Sequence, residues 1–110
     1  MRYHRAARIA LSATLALTPL TAVADAASVD VGKELYRANC RACHGPTARG
    51  LASYPSHRGQ SVAYLTDRLE RYRAGERFGP NTMLMAPRAQ TLSDADILNI
   101  STFITSLDQS

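Results

Sequence analysis

The chain has 110 residues, with 13 lysines and arginines against nine acidic residues, and a formal charge of +4 at neutral pH. This length allows a single domain whose own hydrophobic core is limited. The charge falls to +1 without residues 1–24, because Arg2, Arg5 and Arg8 lie there, and this leaves almost no support for a nucleic-acid binder.

Residues 1–24 have the layout of a secretory signal peptide. The three arginines precede a mostly apolar stretch, residues 9–20, and an A-x-A cleavage site at residues 22–24, with residues 24–26 as a second candidate site. The apolar stretch is shorter than the ~20 residues needed to cross a bilayer. We therefore expect cleavage, no stable membrane insertion, and a mature domain of residues 25–110.

Residues 29–41 are predicted to form the first helix, with Ser28 as its N-cap. Gly32 and Tyr36 lie four residues apart and share a face of this helix. A neighbouring stripe of apolar residues has helical spacing and consists of Val31, Leu35 and Ala38. Since a glycine inside a helix costs about 1 kcal/mol relative to alanine, its presence predicts that another backbone approaches closely at Gly32.

Cys40, Cys43 and His44 form a Cys-x-x-Cys-His run, which is the attachment signature of c-type haem. The two thiols can add across the two vinyl groups of a haem, and the histidine then becomes the proximal iron ligand. A zinc site would need two more strong ligands, and only His57 is nearby. A thioredoxin-like motif would need a βαβ pattern, which the sequence lacks. We expect one covalent haem c.

Residues 61–74 and 94–107 are predicted to form two further helices, capped by Ser61 and by Ser93. Both segments carry apolar residues at helical spacing. The apolar stripes consist of Val62, Leu65, Leu69 and Tyr72 in the first, and of Ile97, Ile100, Phe103, Ile104 and Leu107 in the second. Each helix therefore has one face that can pack against the haem or against another helix.

Two long segments, residues 45–60 and 76–92, separate these helices. Both contain glycine and proline and neither matches a strand, so the sequence predicts an all-α domain with long loops around the haem. Four arginines lie close together in the sequence, namely Arg68, Arg71, Arg73 and Arg77. Such a cluster can steer an acidic partner, but it is more often a solvated helix face.

Several short runs of this chain occur together in one known family. They are Gly32-Lys33-Glu34-Leu35-Tyr36, Cys40 to Pro46, Tyr54-Pro55, Gly59-Gln60, Tyr64-Leu65 with Leu69, Met83-Leu84-Met85-Ala86-Pro87, and Leu92-Ser93-Asp94-Ala95-Asp96-Ile97. With these markers, residues 28–107 resemble a class I c-type cytochrome of the short bacterial type, similar to the c-four and c-five-five-three cytochromes.

The resemblance implies a small all-α cytochrome c fold, with three main helices and long loops wrapped around one covalent haem. It also implies that the first and last helices cross near Gly32. Tyr36 would pack at this crossing against Ile100 and Phe103. This arrangement agrees with the close backbone approach that the glycine predicts.

The second axial iron ligand is expected from the segment 76–92, in which Met83 and Met85 are both candidates. A thioether is a ligand that raises the reduction potential of haem iron. The alternative is that both methionines pack in the core. By the resemblance, the ligand stands eight residues before the serine that caps the last helix, which selects Met85 and keeps Met83 as the alternative.

Pro55 resembles the family proline whose carbonyl accepts a hydrogen bond from Nδ1 of the proximal histidine, a contact that orients the ring. Two residues later the family commonly has a leucine packed on the haem, whereas this chain has His57. We expect His57 to be exposed. The alternatives are a hydrogen bond to a haem propionate and, least favoured, a role as a rival iron ligand.

The predicted function is that of a periplasmic one-electron carrier with a His/Met-ligated haem, and not of an enzyme. Its partners would be larger redox proteins acting as electron donor and acceptor, and the chain would be a monomer or a subunit of a complex. The main alternative is a haem c electron-transfer subunit of a larger periplasmic dehydrogenase. A ligand-binding haem sensor or a peroxidase-like enzyme is less favoured, because it needs an open iron position.

Overall fold

The computed structural model describes residues 26–51 and 56–110, which form five α-helices and a final 3-10 turn. The helices are α1 (Val29–Asn39), α2 (Arg41–His44), α3 (Val62–Arg73), α4 (Thr82–Gln90) and α5 (Asp94–Ser106), and the 3-10 turn is Leu107–Gln109. This part of the chain contains no strand, so the predicted all-α class is confirmed. The predicted leader and Pro55 lie outside the described residues.

The three long helices begin where their capping serines predict. The Ser28 hydroxyl accepts from the Val31 amide at 3.2 Å, and the Ser61 hydroxyl accepts from the Tyr64 amide at 3.1 Å. At α5 the Ser93 hydroxyl accepts from Asp96 N at 3.1 Å, while the Asp96 carboxylate accepts from Ser93 N at 3.0 Å. These bonds satisfy amides that the first turn of a helix leaves without a backbone partner.

Helices α1 and α5 cross at Gly32, as predicted. A Cβ atom on Gly32 would lie 2.0 Å from the carbonyl oxygen of Asn99, so no other residue fits without moving α5. One turn further along α1, the rings of Tyr36 and Phe103 lie 5.3 Å apart at 54°. Both side chains belong to the hydrophobic core, together with Leu65, Leu92, Ile97, Ile100 and Ile104.

The buried face of α1 is the one that carries Gly32 and Tyr36. Of the neighbouring apolar stripe, Leu35 is half-buried, whereas Val31 is 48% exposed and Ala38 is also exposed. Helix α1 therefore packs against α5 through the stripe of Gly32 and Tyr36, which allows the closer helix approach, and not through the neighbouring stripe, which has more apolar surface. The close approach increases dispersion contacts between the two helices.

The segment 76–92, predicted as a loop, contains α4, and that prediction is wrong in this respect. Thr82, buried at the start of α4, accepts with its hydroxyl from the amides of Phe78 at 2.9 Å and Gly79 at 3.2 Å. Pro87 lies inside this helix, where it removes one hydrogen-bond donor. The helix is short and weakly amphipathic, and its packing against α3 stabilises it.

The first helix is also shorter than predicted, because it ends at Asn39 and the chain bends at Cys40 before α2. The Cys40 carbonyl accepts from the amides of Cys43 and His44, at 3.2 and 2.9 Å, and so begins a new turn.

Within the described residues no helix is both long enough and apolar enough to cross a membrane.

Candidate haem site

A cavity of about 240 Å³ opens between α3, α5 and the turn formed by α2. Its walls are largely apolar and include Tyr36, Leu65, Leu69, Tyr72, Ile100 and Ile104. Four of the predicted haem-site residues line this cavity: Tyr36 on α1, Cys40 and His44 of the attachment motif, and Met85 on α4. Cys43 is exposed and does not line the cavity, and Phe103 supports the wall from behind through its contact with Tyr36.

His44 is the last residue of α2 and is 5% exposed. The next residue, Gly45, has φ +82°, a conformation that glycine adopts without strain and that turns the chain sharply after the histidine. The Gly45 carbonyl accepts from the Tyr36 hydroxyl at 2.6 Å, and the His44 carbonyl accepts from Gly50 N at 2.9 Å. The backbone that carries the imidazole is therefore held from two sides.

Burial controls the protonation of the groups around this turn. It raises the pKa of the Tyr36 phenol to about 12, and the nearby Cys40 raises it further. It also raises the pKa of the Cys40 thiol to about 11, against a smaller opposing effect of the Arg88 charge. Before any group is attached to Cys40, both groups are protonated at neutral pH, so Tyr36 is a hydrogen-bond donor and Cys40 a neutral thiol.

The two candidate methionines of α4 have different surroundings. Met83 is 71% exposed, whereas Met85 is half-buried and lines the cavity. Residues two apart on a helix point about 200° apart around its axis, so they cannot both face the cavity. Of these two methionines, Met85 is the one that directs its thioether into the cavity.

His57 contacts His44 directly, and the prediction of an exposed His57 is wrong. The two Nε2 atoms lie 3.4 Å apart and the ring centroids 4.1 Å apart. The amide of His57 donates to the Ala48 carbonyl at 2.7 Å, which holds the segment against the turn after the haem motif. Burial, and then the proximity of His44, lower the pKa of His57 to about 4, so its ring is neutral at neutral pH. The sequence signal for this contact was the departure from the family leucine.

The predicted arginine cluster is partly neutralised by acidic neighbours. Arg71 binds the Glu76 carboxylate through two nitrogens and lies 3.4 Å from Asp67. Arg73 binds Asp94 at 2.5 Å. Arg68 and Arg71 both stack their guanidinium groups on the Phe78 ring, Arg68 also lies over the Tyr64 ring, and Arg77 is exposed. Two of the four arginines, Arg71 and Arg73, are therefore held in ion pairs.

These residues fit a covalently bound haem c. The cavity supplies an apolar enclosure, an imidazole from His44 and a thioether from Met85, and Cys40 lines its wall four residues before His44. Imidazole and thioether are the axial ligands typical of cytochromes c. Among the described residues, no three His, Cys, Asp or Glu side chains group together to hold a free metal ion.

The helical domain, its apolar cavity and the Cys-x-x-Cys-His motif together place the chain in the class of c-type haem proteins. The family model described as Cytochrome c matches residues 29–108, and the chain belongs to this family. The resemblance to a class I monohaem c-type cytochrome is thereby confirmed. The protein carries one covalent haem c and acts as an electron carrier, not as an enzyme.

Named relatives agree with this assignment. The chain is 48% identical over 68 residues to cytochrome c-554(548) of Halomonas halodenitrificans, covering 61% of this chain and 82% of the relative. It is 33% identical over 84 residues to cytochrome c-554(547) of Halothiobacillus neapolitanus, covering 69% and 92%. Cytochrome c4 of Azotobacter vinelandii is 34% identical over 100 residues, and the match covers 81% of this chain but 48% of that protein.

Proposed function

We propose that the protein is a periplasmic one-electron carrier in which Cys40 and Cys43 attach the haem and His44 and Met85 ligate its iron. The observation that carries this proposal is the convergence of Cys40, His44 and Met85 on one apolar cavity. Haem c, when bound, supplies an iron that alternates between the ferric and ferrous states. The chain provides the ligands, the enclosure and the attachment.

Each ligand has a defined task in this proposal. His44 offers a ring nitrogen from a backbone that Tyr36 and Gly50 hold in place. The Met85 thioether is a soft ligand that favours ferrous iron and raises the potential. The side chains of Leu65, Leu69, Ile100 and Ile104 keep water away from the cavity, which reduces solvent reorganisation around the iron.

The ligand assignment is tested by comparing Met85→Ala with Met83→Ala in the exported holoprotein. For Met85→Ala we expect loss of the weak sulfur-to-iron charge-transfer band in the oxidised spectrum, and binding of carbon monoxide when reduced. Met83→Ala removes the same side chain from an exposed position of the same helix, and we expect a wild-type spectrum. Both variants are read by absorption spectroscopy with and without carbon monoxide.

The opposite result, with the band lost in Met83→Ala and retained in Met85→Ala, would transfer the ligand role to Met83. Reduced wild-type protein that binds carbon monoxide at neutral pH would have an open iron position. It would then support the sensor or peroxidase-like function in place of the carrier proposed here.

The periplasmic location is supported by the signal-peptide layout of residues 1–24 and by the attachment motif. We expect the mature protein to begin at Asp25. Intact mass spectrometry of the exported protein tests this, and we expect the mass of residues 25–110 plus one haem. A mass that includes residues 1–24 would contradict the predicted cleavage.

Larger redox proteins are the proposed electron donor and acceptor. A relative from Stutzerimonas stutzeri is named thiosulfate dehydrogenase electron acceptor, and it is 35% identical over 71 residues, covering 64% of this chain and 33% of that protein. The second candidate function is therefore a haem subunit of a periplasmic dehydrogenase complex. The exposed apolar side chains of Met83 and Leu84, on the helix that carries Met85, favour it.

Purification from the native periplasm under mild conditions separates the two candidates. A free carrier elutes in gel filtration at the size of a single small domain. A subunit co-elutes with a larger protein, and its haem is reduced directly when the substrate of that partner is added.

A further inference from the structure

Arg68 lies on α3 and lines the cavity without an ion pair among the described residues, whereas Arg71, which also stacks on Phe78 at 4.7 Å, and Arg73 form ion pairs. The Arg68 side chain lines the cavity beside Tyr64 and Leu65. The guanidinium carbon is 4.1 Å from the centroid of the Phe78 ring and 5.7 Å from that of Tyr64. Stacking on aromatic faces holds a guanidinium in place while leaving its in-plane N–H groups available.

No carboxylate among the described residues forms an ion pair with Arg68. Glu76 is close enough for the Arg68 charge to contribute to its lowered pKa, but the first cause of that lowering is the hydrogen bond from Arg71. Arg71 binds Glu76 through two nitrogens and so occupies this carboxylate. A half-buried guanidinium at a cavity wall is stabilised when an anion reaches it.

We propose that Arg68 binds a propionate of the haem at the wall of this cavity. This inference rests on the proposed function, because it needs the haem in the cavity. A guanidinium matches the two oxygens of a carboxylate with two parallel N–H groups, and such charge-assisted bonds are stronger than neutral ones. Arg68 is held in position by Phe78 before the carboxylate arrives, which lowers the entropy cost of the pair.

The pair has a consequence for electron transfer. An uncompensated propionate charge near the iron opposes the arrival of an electron. When Arg68 neutralises that charge, the ferrous state becomes more favourable and the reduction potential rises. Arg68 is thus a residue that positions the haem carboxylate and tunes the potential, and it takes no part in ligation.

The test compares Arg68→Gln with Arg77→Gln in the holoprotein. Both variants lose one positive charge from the same region, but Arg77 is exposed and does not line the cavity. For Arg68→Gln we expect the equilibrium constant for reduction to fall about tenfold, or ~59 mV for one electron. For Arg77→Gln we expect a change below about threefold that vanishes at high salt, since exposed charges are screened.

Resonance Raman spectra of the same samples examine the propionate itself. We expect the propionate bending modes to shift in Arg68→Gln and to keep their wild-type position in Arg77→Gln. Should Arg68→Gln not accumulate as folded holoprotein, Arg68→Lys retains the charge without the planar fork, and we expect a smaller shift in the same direction.

Equal potential changes in the two glutamine variants, with unchanged propionate modes, would overturn the Arg68 proposal. The absorption spectrum separates this outcome from failure of the proposed function. A wild-type protein with the His/Met spectrum retains the carrier function even when Arg68 has no effect, whereas a wild-type protein without that spectrum contradicts the carrier assignment itself.

Discussion

Tyr36 links the helix crossing to the turn that carries His44. Its side chain is 1% exposed, its ring packs on Phe103, and its hydroxyl donates to the Gly45 carbonyl at 2.6 Å. The hydrogen bond joins residues nine apart in the chain. A packing role for Tyr36 was predictable, whereas its hydroxyl contact depends on the bend at Cys40.

Tyr36→Phe is expected to destabilise the holoprotein by about 1–3 kcal/mol, the cost of leaving a buried carbonyl without its donor. Tyr64→Phe is the matched control, because the Tyr64 side chain is exposed and no described hydrogen bond uses its hydroxyl; its effect should stay within about 0.5 kcal/mol. Denaturant unfolding followed by circular dichroism measures both. Equal stability of Tyr36→Phe and wild type would mean that water replaces the lost donor.

At the scale of elements, the crossing of α1 and α5 organises the domain. Gly32 permits the contact, and the Ser28 amide donates to the Asn99 side chain at 2.7 Å, so the N-terminus of α1 is bound to α5 by hydrogen bonding as well as by packing. This crossing sets the position of Tyr36 and hence of the wall behind the cavity. An added side chain at such a contact meets the backbone of the other helix, which cannot change rotamer as a side chain can, so the whole helix must shift.

Gly32→Ala is expected to lower the free energy of unfolding by about 2 kcal/mol. A methyl group 2.0 Å from the Asn99 carbonyl oxygen forces the helices apart, at a cost of ~3 kcal/mol. This cost exceeds the ~1 kcal/mol by which alanine is more favourable than glycine inside a helix. The control is Gly79→Ala, where a Cβ atom meets nothing within 4 Å. A neutral or stabilising Gly32→Ala in thermal unfolding would show that the crossing can open freely.

At the scale of the whole molecule, the segment after the haem motif is tied to the C-terminal end of the chain. Arg58 donates to the Asp108 carboxylate at 2.5 Å and to the Leu107 carbonyl at 2.6 Å, and Gly59 N donates to the other Asp108 oxygen at 2.8 Å. The same segment places His57 against His44. This connection closes the domain around the cavity.

Asp108→Asn is expected to lower the melting temperature at neutral pH and to have no effect in strongly acidic solution. The hydrogen bond from Gly59 N, and then that from Arg58, hold the pKa of Asp108 below its ordinary value. Ionised Asp108 therefore stabilises the fold above the ordinary aspartate pKa of ~3.9, and this contribution disappears as the pH falls through the lowered pKa.

Melting curves between neutral and acidic pH measure this difference, with Glu70→Gln as a control that removes an exposed carboxylate without a described ion pair. A gap between Asp108→Asn and wild type that stays constant down to strongly acidic pH would contradict the assignment of the effect to the Asp108 charge.

The features that could be predicted from the sequence depend on contacts between near neighbours in the chain. Ser28, Ser61 and Ser93 cap helices because their hydroxyls reach amides three residues away. The attachment motif is confined to five residues. The close approach at Gly32 followed from the cost of an uncompensated glycine in a helix, and the family resemblance supplied its partner helix.

The remaining features depend on contacts that form only when the helices and loops have packed. Helix α4 was not predicted, because Pro87 weakens its local propensity and packing on α3 compensates for this only in the folded domain. The contact of His57 with His44, the stacking of Arg68 on Phe78, and the bond of Arg58 to Asp108, 50 residues away, arise in the same way. Local propensity carries no information about such pairs, because their free energy of interaction appears only when the helices have packed.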